Sequence, residues 1–179
     1  MKLPATLIRT DIDTPLGPMR LAATDHALAG AWFHDQRHAP DPALMTLWRP
    51  DPHHTVLREA AAQLVDYFAG RRRVFELPLE LSFGTPFQIA VWRALRGITA
   101  GRTLSYGALA QGLQAASAVR AVGAAVGRNP LSVIVPCHRV LGARGELTGY
   151  AGGLARKQAL LQLESSAELP LSIPTPLPA

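Results

Sequence analysis

The side chains best suited to chemistry in this sequence are the three consecutive residues Cys137-His138-Arg139. A cysteine thiolate is a strong nucleophile, and neighbouring cations lower the pKa of a thiol from its reference of about 8.5. The preceding run 131–135 is apolar and rich in β-branched residues, and it stops at Pro136, which predicts a short strand that breaks just before the cysteine. This pattern predicts a nucleophilic cysteine with a lowered pKa, and the alternative is a cysteine that packs as a small buried hydrophobe.

His138 is the candidate base for such a nucleophile. Adjacent residues of a strand point to opposite faces, so we expect His138 to act on Cys137 through a bridging water and to be oriented by a carboxylate. Residues 83–165 offer two carboxylates, Glu146 and Glu164. A thiol hydrolase is an alternative for this pair, although the sequence offers no recognisable oxyanion device.

A second candidate site is the segment 117–128, in which alanine and glycine dominate and Arg120 is the only long side chain before Arg128. A helix is predicted here and another at 106–112, and two short helices so close indicate a helix-turn-helix. Major-groove readers usually display several polar side chains to base edges, which this helix lacks. The pattern favours reading of DNA by shape with one inserted side chain, and the alternative is a helix buried against its neighbours.

The charge distribution supports a polyanionic partner. Residues 83–165 carry a net charge of +7 and residues 1–82 carry −1, within a chain whose total is +5. Eight of the nine cations in 83–165 are arginines, which suit forked contacts to phosphate. The single cysteine excludes an internal disulfide and multi-cysteine zinc sites. No apolar run approaches the length of a membrane span and no signal-peptide pattern precedes Asp11, so the composition predicts a soluble intracellular protein.

The helices and strands predicted from the sequence indicate an α+β fold. It has a small N-terminal strand-plus-helix domain and a mostly helical DNA-binding domain that positions these residues. The first half predicts strands over 6–13, 18–24 and 27–33, a loop over 34–52 and a helix over 53–69. The second half predicts helices over 86–96, 106–112, 117–127 and 154–164, with Ser105 and Ser117 as caps and a short strand over 131–135 leading into the cysteine. These elements divide the chain into an N-terminal cap domain (1–82), a DNA-binding domain (83–165) and a proline-rich, extended and disordered tail (166–179).

A series of short motifs stands in one order along the second half. The motifs are Gly84-Thr85-Pro86-Phe87-Gln88, Val91-Trp92, Gly101, Thr103, Ser105-Tyr106-Gly107, Arg120-Ala121-Val122-Gly123, Asn129-Pro130, Pro136-Cys137-His138-Arg139-Val140, Gly149-Tyr150 and Gly152-Gly153-Leu154. In this order they resemble the O6-alkylguanine-DNA alkyltransferases, also called methylated-DNA–protein-cysteine methyltransferases. The resemblance covers 83–165 closely and the first 82 residues only in general layout.

The resemblance implies a role for each matching residue of the reaction site. It implies that Cys137 takes the alkyl group from guanine, and that His138, a water and Glu164 form the relay that makes the thiolate. It also implies that Asn129 supports the cysteine loop and that the hydroxyl of Tyr106 donates to a ring nitrogen of guanine.

The resemblance also implies a DNA surface and a substrate pocket. Arg120 resembles the residue that fills the gap left by an extruded base, on a surface shared with Thr103, Ala121, Gly123 and Arg128. The backbone carbonyls of Cys137 and Val140 would accept from the guanine amino group, and the backbone N–H near Ala151 would face the reacting oxygen. Ser132 would line the same pocket.

The sequence departs from the family pattern in four places. Ala151 stands where relatives often carry serine, and Ser132 stands where some carry a proline, which leaves the tolerance of bulky alkyl groups open. Gln114-Ala115-Ala116 replaces a Gly-Asn-Pro-like turn before the second short helix, so the geometry of that turn is open as well. Thr99 stands where proline is common, with no consequence expected.

The activity implied by the resemblance is irreversible DNA repair with one turnover per molecule. The substrate is O6-alkylguanine in duplex DNA, with O4-alkylthymine as a second candidate, and no cofactor or metal is expected. The partner is double-stranded DNA, and the protein is expected to be a monomer of the cytoplasm, or of the nucleus in a eukaryote, with no membrane association. The alternative is a sensor that binds alkylated DNA without reacting. His34 and His38 lack a third ligand, so they are not expected to bind metal.

Overall fold

The computed structural model describes residues 2–165. The tail that the sequence predicts to be extended and disordered, 166–179, lies outside the described residues. Among residues 2–165, the structure contains no helix long and apolar enough to cross a membrane.

The N-terminal half is a four-stranded sheet covered by one long helix. Its elements in chain order are β1 (Ile8–Ile12), β2 (Met19–Ala23), β3 (Leu28–Phe33), α1 (Pro42–Thr46), β4 (Arg49–Pro50) and α2 (Thr55–Phe68). The strand order is β3-β2-β1-β4, in which β1, β2 and β3 form an antiparallel meander and β4 lies parallel to β1. The three strands and the long helix predicted from the sequence are all present.

The region predicted as a loop, 34–52, contains two short elements that the sequence interpretation missed. Asp41 accepts a hydrogen bond from the N–H of Ala43, and Pro42 occupies the first helical position, which together start α1. Prolines alone had suggested a loop, but a proline at the first turn of a helix is compatible with helix formation.

The C-terminal half consists of helices around an irregular centre. Its elements are α3 (Pro86–Leu95), β5 (Leu104–Ser105), α4 (Tyr106–Gly112), α5 (Val119–Gly127), β6 (Val140–Leu141) and α6 (Leu154–Ser165), with 3-10 turns at Ala116–Ala118 and Cys137–Arg139. Thr85 and Gln88 form a reciprocal capping box at the start of α3, and Ser105 caps α4 as predicted. The α+β class, with a strand-rich N-terminal half and a helical C-terminal half, is confirmed.

Two local predictions in this half are wrong. Ser117 does not cap α5, because it lies inside the 3-10 turn and the cap position falls on Ala118, which has no side-chain bond to the helix. The predicted strand over 131–135 is reduced to one bridging residue, Leu131, which pairs with Ala31 of β3. Val133 has a φ of +73°, a left-handed conformation that ends extended pairing, and the run is apolar because it is buried.

The two halves share one hydrophobic core. It joins β-sheet residues such as Leu21 and Phe33 to Leu57 and Leu64 of α2, and it continues to Trp92 of α3 and to the segment around Cys137. Backbone hydrogen bonds cross between the halves as well, from the N–H of Ala31 to Pro130 at 2.8 Å and from the N–H of Ser132 to Ala31 at 2.9 Å. The segment before the cysteine is therefore fixed directly against the edge strand β3.

Candidate active site

Cys137 begins a 3-10 turn and is buried, with 4% of its surface exposed. Its sulfur accepts a hydrogen bond from Asn129 Nδ2 at 3.1 Å. Burial raises the pKa of the Cys137 thiol, against the hydrogen bond from Asn129 and the positive charge of Lys157. The expectation of a pKa lowered by adjacent cations is wrong, because the side chains of His138 and Arg139 bond to Glu164 instead.

Asn129 holds the loop that carries the cysteine. Besides the sulfur, its Nδ2 donates to the carbonyl of Val135 at 2.8 Å and more weakly to that of Leu131 at 3.4 Å, while its Oδ1 accepts from the N–H of Leu131 at 3.0 Å. A single buried side chain therefore fixes both ends of the irregular segment 131–137. The structure brings Asn129 and Cys137 into direct contact.

Glu164, on the last helix, is bonded to three side chains. Its carboxylate accepts from His138 Nε2 at 2.9 Å, from Tyr67 at 2.7 Å, and from Arg139 Nε and Nη2 at 2.8 and 2.7 Å. Burial alone would raise the pKa of Glu164, but the hydrogen bonds from His138 and Arg139 hold it well below its usual range. We call Cys137, His138, Arg139 and Glu164 the buried relay.

The relay defines which nitrogen of His138 can take up a proton. An ionised carboxylate only accepts, so the bond to Glu164 places the hydrogen on Nε2. Burial lowers the pKa of His138 despite the nearby carboxylate, which favours the neutral ring. Nδ1 is buried and has no hydrogen-bond partner within residues 2–165, so its lone pair is available as a base.

The contacts of three side chains of this site were missed by sequence reasoning. Tyr67 comes from α2 in the other half of the chain, where the sequence predicts a helix but no site residue. Arg139 was expected beside the sulfur, but it bonds to Glu164 and to the carbonyl of Ile98. Lys157 is fully buried and donates to the carbonyls of Val140 and Thr148, and burial lowers its pKa to about 8. No spacing pattern in the sequence predicts these contacts, because the partners of the three residues are distant in sequence.

Tyr106 lies between α5 and the loop that precedes α6. Its hydroxyl donates to the carbonyl of Gly149 at 3.0 Å, and its ring approaches Gly123, where an added Cβ would lie 3.8 Å away. Burial and the nearby Cys137 raise the pKa of Tyr106 to about 12, so its hydroxyl keeps its proton at neutral pH. Tyr106 can therefore serve as a donor.

The remaining residues predicted for the pocket contact the N-terminal half. Ser132 is buried and its hydroxyl donates to Gln36 Oε1 at 2.7 Å, while the carbonyl of Ala151 accepts from the N–H of Arg37 at 3.0 Å. The carbonyl of Val140 already accepts from Lys157, and a carbonyl oxygen has a second lone pair for another donor. Loop 34–37 of the N-terminal half therefore adjoins the residues predicted to line the pocket.

The residues predicted to face DNA lie on and beside α5, where the side chain of Arg128 makes one long hydrogen bond, to the carbonyl of Ala124 at 3.4 Å. Val122, Ala125 and Val126 lie on the buried side of α5. Arg120 and Ala121 lie on its exposed side, and the exposed Arg128 directly follows its last residue. We call these three exposed residues the α5 face. Within residues 2–165, no hydrogen bond or ion pair of the Arg120 side chain is found. Thr103 is also exposed, and Gly123 is half-buried.

The altered turn before α5 is also defined. Gln114 has a φ of +55°, in the left-handed region that favours glycine, and Ala116–Ala118 then form the 3-10 turn. Both helices of the helix-turn-helix are therefore present, and the backbone strain of the turn lies at Gln114.

The histidines considered as metal ligands have other environments. His34 Nε2 lies 3.2 Å from a carboxylate oxygen of Asp11, which also pairs with Arg20. His38 is a surface residue with a φ of +59°. Within the described part of the chain, no group of three or more histidine, cysteine or carboxylate residues is arranged to hold a metal ion.

Models of known protein families match almost all of the described residues. The family model "6-O-methylguanine DNA methyltransferase, ribonuclease-like domain" matches residues 7–81, and "6-O-methylguanine DNA methyltransferase, DNA binding domain" matches residues 86–166. A methylated-DNA–protein-cysteine methyltransferase of Mycobacterium tuberculosis is 48% identical over 155 residues, which cover 87% of this chain and 90% of that protein. A protein of the same name from Salmonella typhimurium is 41% identical over 163 residues, which cover 88% of this chain and 95% of that protein.

A solved structure extends the similarity to three dimensions. The crystal structure of Mycobacterium tuberculosis OGT in complex with DNA superimposes with a TM-score of 0.81 at 45% sequence identity, and the match covers 89% of this chain and 94% of that one. The fold and the extent of the match therefore agree with a single group of proteins.

Proposed function

Because the chain belongs to the 6-O-methylguanine DNA methyltransferase family, whose reaction is DNA repair by alkyl transfer to a cysteine, we propose that Cys137 is the acceptor and that the buried relay activates it. The observation that supports this most strongly is that Cys137 is the only cysteine of the chain, accepts a hydrogen bond from Asn129, and directly precedes the His138 that bonds to Glu164. The proposed substrate is O6-alkylguanine in duplex DNA, with O4-alkylthymine as a second candidate, and the active form is a monomer of the cytoplasm.

The first chemical step is the removal of the thiol proton. The raised pKa of Cys137 keeps it as a thiol before substrate arrives. Nδ1 of His138 takes this proton, directly or through a bridging water, while Glu164 holds Nε2 and stabilises the positive ring that forms. Asn129 and Lys157 then stabilise the thiolate by a hydrogen bond and a positive charge.

The second step transfers the alkyl group. The thiolate attacks the alkyl carbon, the carbon–sulfur bond forms, and the bond between that carbon and O6 breaks, with its electron pair remaining on guanine. When the hydroxyl of Tyr106 turns from the carbonyl of Gly149 to the ring nitrogen, its hydrogen bond eases the departure of guanine. The N–H near Ala151 faces the oxygen. The product is a thioether that no group of this site can readily cleave, so each molecule reacts once.

Duplex DNA must release the base before this chemistry can occur. Extrusion of a base costs a few kcal/mol of stacking and pairing. Arg120 is exposed and has no hydrogen-bond or ion-pair partner among residues 2–165 to give up, and the alanine and glycine residues around it permit close approach to a groove. We assign Arg120 to the gap left by the base, and Thr103, Ala121, Gly123 and Arg128 to the surrounding DNA surface.

Intact-mass spectrometry with peptide mapping tests this proposal. The protein is mixed with a duplex carrying one O6-methylguanine, in parallel with Cys137→Ser as the matched control. We expect one methyl increment on the peptide that contains Cys137, saturating at one per molecule, and no increment on the variant. Tight binding of the same duplex without any increment would instead support the alternative of a non-catalytic sensor.

A further inference from the structure

Arg156, in the first turn of α6, joins the pocket loop to the N-terminal half. Its Nη1 donates to the carbonyl of Gly152 at 2.9 Å and lies 2.8 Å from the carboxylate of Asp35, and its Nε donates to the carbonyl of Leu16 at 2.7 Å. The guanidinium also lies 4.3 Å from the centre of the Phe33 ring. We call this set of contacts the Arg156 clasp.

The turn between β1 and β2 is shaped to receive this guanidinium. Gly17 has a φ of +107°, and an added Cβ there would lie 3.0 Å from Arg156 Nη2. The hydroxyl of Thr14 donates to the carbonyl of Gly17 at 2.6 Å and accepts from the N–H of Leu16 at 3.2 Å, which fixes the turn. These bonds fix the position of the Leu16 carbonyl independently of its contact with Arg156.

The loop on the other side of the clasp has little freedom to shift. A Cβ on Gly152 would lie 2.7 Å from the Tyr150 ring and 3.1 Å from the Phe33 ring, so the backbone of the loop packs directly on both rings. The carbonyl of Ala151 is bonded to the N–H of Arg37. Tyr150 is itself buried and packs edge-on against the ring of His138. A shift of Gly152 would therefore displace the ring of Tyr150 and, through it, the ring of His138 in the buried relay.

Arginine is suited to this position in a way that lysine is not. Two nitrogens of its planar fork reach two carbonyls and one carboxylate at once, whereas a lysine offers a single ammonium on a flexible stem. The carboxylate of Asp35 is mostly exposed, with 69% of its side chain accessible, so this ion pair is screened by solvent. The two carbonyl bonds, which join different halves of the chain, are the stronger part of the clasp.

We propose that Arg156 is a positioning residue for alkyl transfer, because its clasp on Leu16 and Gly152 holds the loop 150–153 closed around a small alkyl group. The N-terminal half thereby sets the size selectivity of the pocket without touching the substrate. This inference rests on the proposed function, since it requires the N–H near Ala151 to face the reacting oxygen. A displacement of the loop by about 1 Å is enough to cost about 100-fold in rate.

The test compares Arg156→Met and Arg156→Lys with Arg58→Met, a matched loss of one arginine from the exposed side of α2. Single-turnover rates are measured with two duplexes of the same sequence, one containing O6-methylguanine and one containing O6-benzylguanine, together with the Kd for each duplex. We expect Arg156→Met to slow methyl transfer about 10-fold and to raise the benzyl-to-methyl rate ratio several-fold, because the loosened loop loses alignment and admits a larger group. Arg156→Lys should lie between this variant and the wild type, and duplex affinity should match that of Arg58→Met.

The outcomes separate this inference from the proposed function. A wild-type protein that never alkylates Cys137 would overturn the proposed function. If the wild type reacts but Arg156→Met shows the rates and ratio of Arg58→Met, the clasp has no positioning role. An equal loss on both substrates would also contradict the inference, because it indicates a general structural defect. A second variant, Asp35→Asn, removes only the exposed ion pair and keeps the test possible if Arg156→Met folds poorly. It should raise the benzyl-to-methyl rate ratio by a smaller factor than Arg156→Met.

Discussion

The buried relay and the α5 face differ in how their polar groups are satisfied. Glu164 in the relay accepts hydrogen bonds from His138, Arg139 and Tyr67, all within the protein core. Arg120 on the α5 face projects from a helix of small residues into solvent. The comparison indicates that the reaction groups are organised before DNA arrives, whereas the DNA surface acquires its partners on binding.

This difference predicts that a change in the relay damages both the fold and the chemistry. Glu164→Gln leaves Arg139 as a buried charge without its counter-ion, which is expected to cost about 3–5 kcal/mol of unfolding free energy. Methyl transfer to Cys137 should fall severely, because the ring of His138 loses the group that holds it. Urea unfolding and single-turnover transfer are the measurements.

A milder variant keeps this prediction testable if Glu164→Gln does not fold. Tyr67→Phe removes one donor to the same carboxylate and should cost about 1 kcal/mol while the protein remains folded. A Glu164→Gln protein as stable and as active as the wild type would contradict the account of the relay.

The two regions also differ in how far the sequence could predict them. Cys137, His138 and Arg120 stand in local motifs, and α4 follows from its capping residue Ser105, so the sequence alone predicts these parts. Two partners of Glu164 could not be found in this way, since Tyr67 lies 97 residues away in the sequence and Arg139 is expected from its position to lie beside the sulfur. The sequence predicts the wrong direction for the pKa shift of Cys137, because the side chains of the neighbouring His138 and Arg139 bond to Glu164, while burial raises the pKa of the thiol.

The relay should also make stability depend on pH. Burial lowers the pKa of His138 below its ordinary 6.5, so the unfolded chain binds a proton that the folded chain does not. The contribution of His138 to the free energy of unfolding is therefore fully present above about pH 6.5 and is lost as the pH falls below that value.

The expected loss from His138 is about 1 kcal/mol between pH 7.5 and pH 5.5, measured by urea unfolding. His138→Asn is the matched control, since it cannot take up the proton and should show a smaller loss over the same range. The account of a buried neutral ring fails if the variant and the wild type lose the same amount.

The smallest effect is expected near the α5 face, in the turn that precedes it. Gln114 is exposed and has a φ of +55°, so Gln114→Gly should relieve backbone strain and raise stability by about 0.5 kcal/mol. Thermal unfolding should shift upward by about 1–2 °C. Gln111→Gly, inside α4, is the matched control and should be destabilising, because a glycine in a helix costs about 1 kcal/mol.

The central claim is that the reaction groups and the DNA surface act separately, and it is tested most directly by measuring Arg120→Ala on two substrates. Single-turnover alkyl transfer is followed with duplex O6-methylguanine and with free O6-benzylguanine, which needs no extrusion from a duplex. We expect a loss of about 100-fold on the duplex, equivalent to the few kcal/mol of base extrusion, and a change of less than about twofold on the free base. Equal losses on both substrates would contradict the account, because they would make Arg120 part of the reaction site.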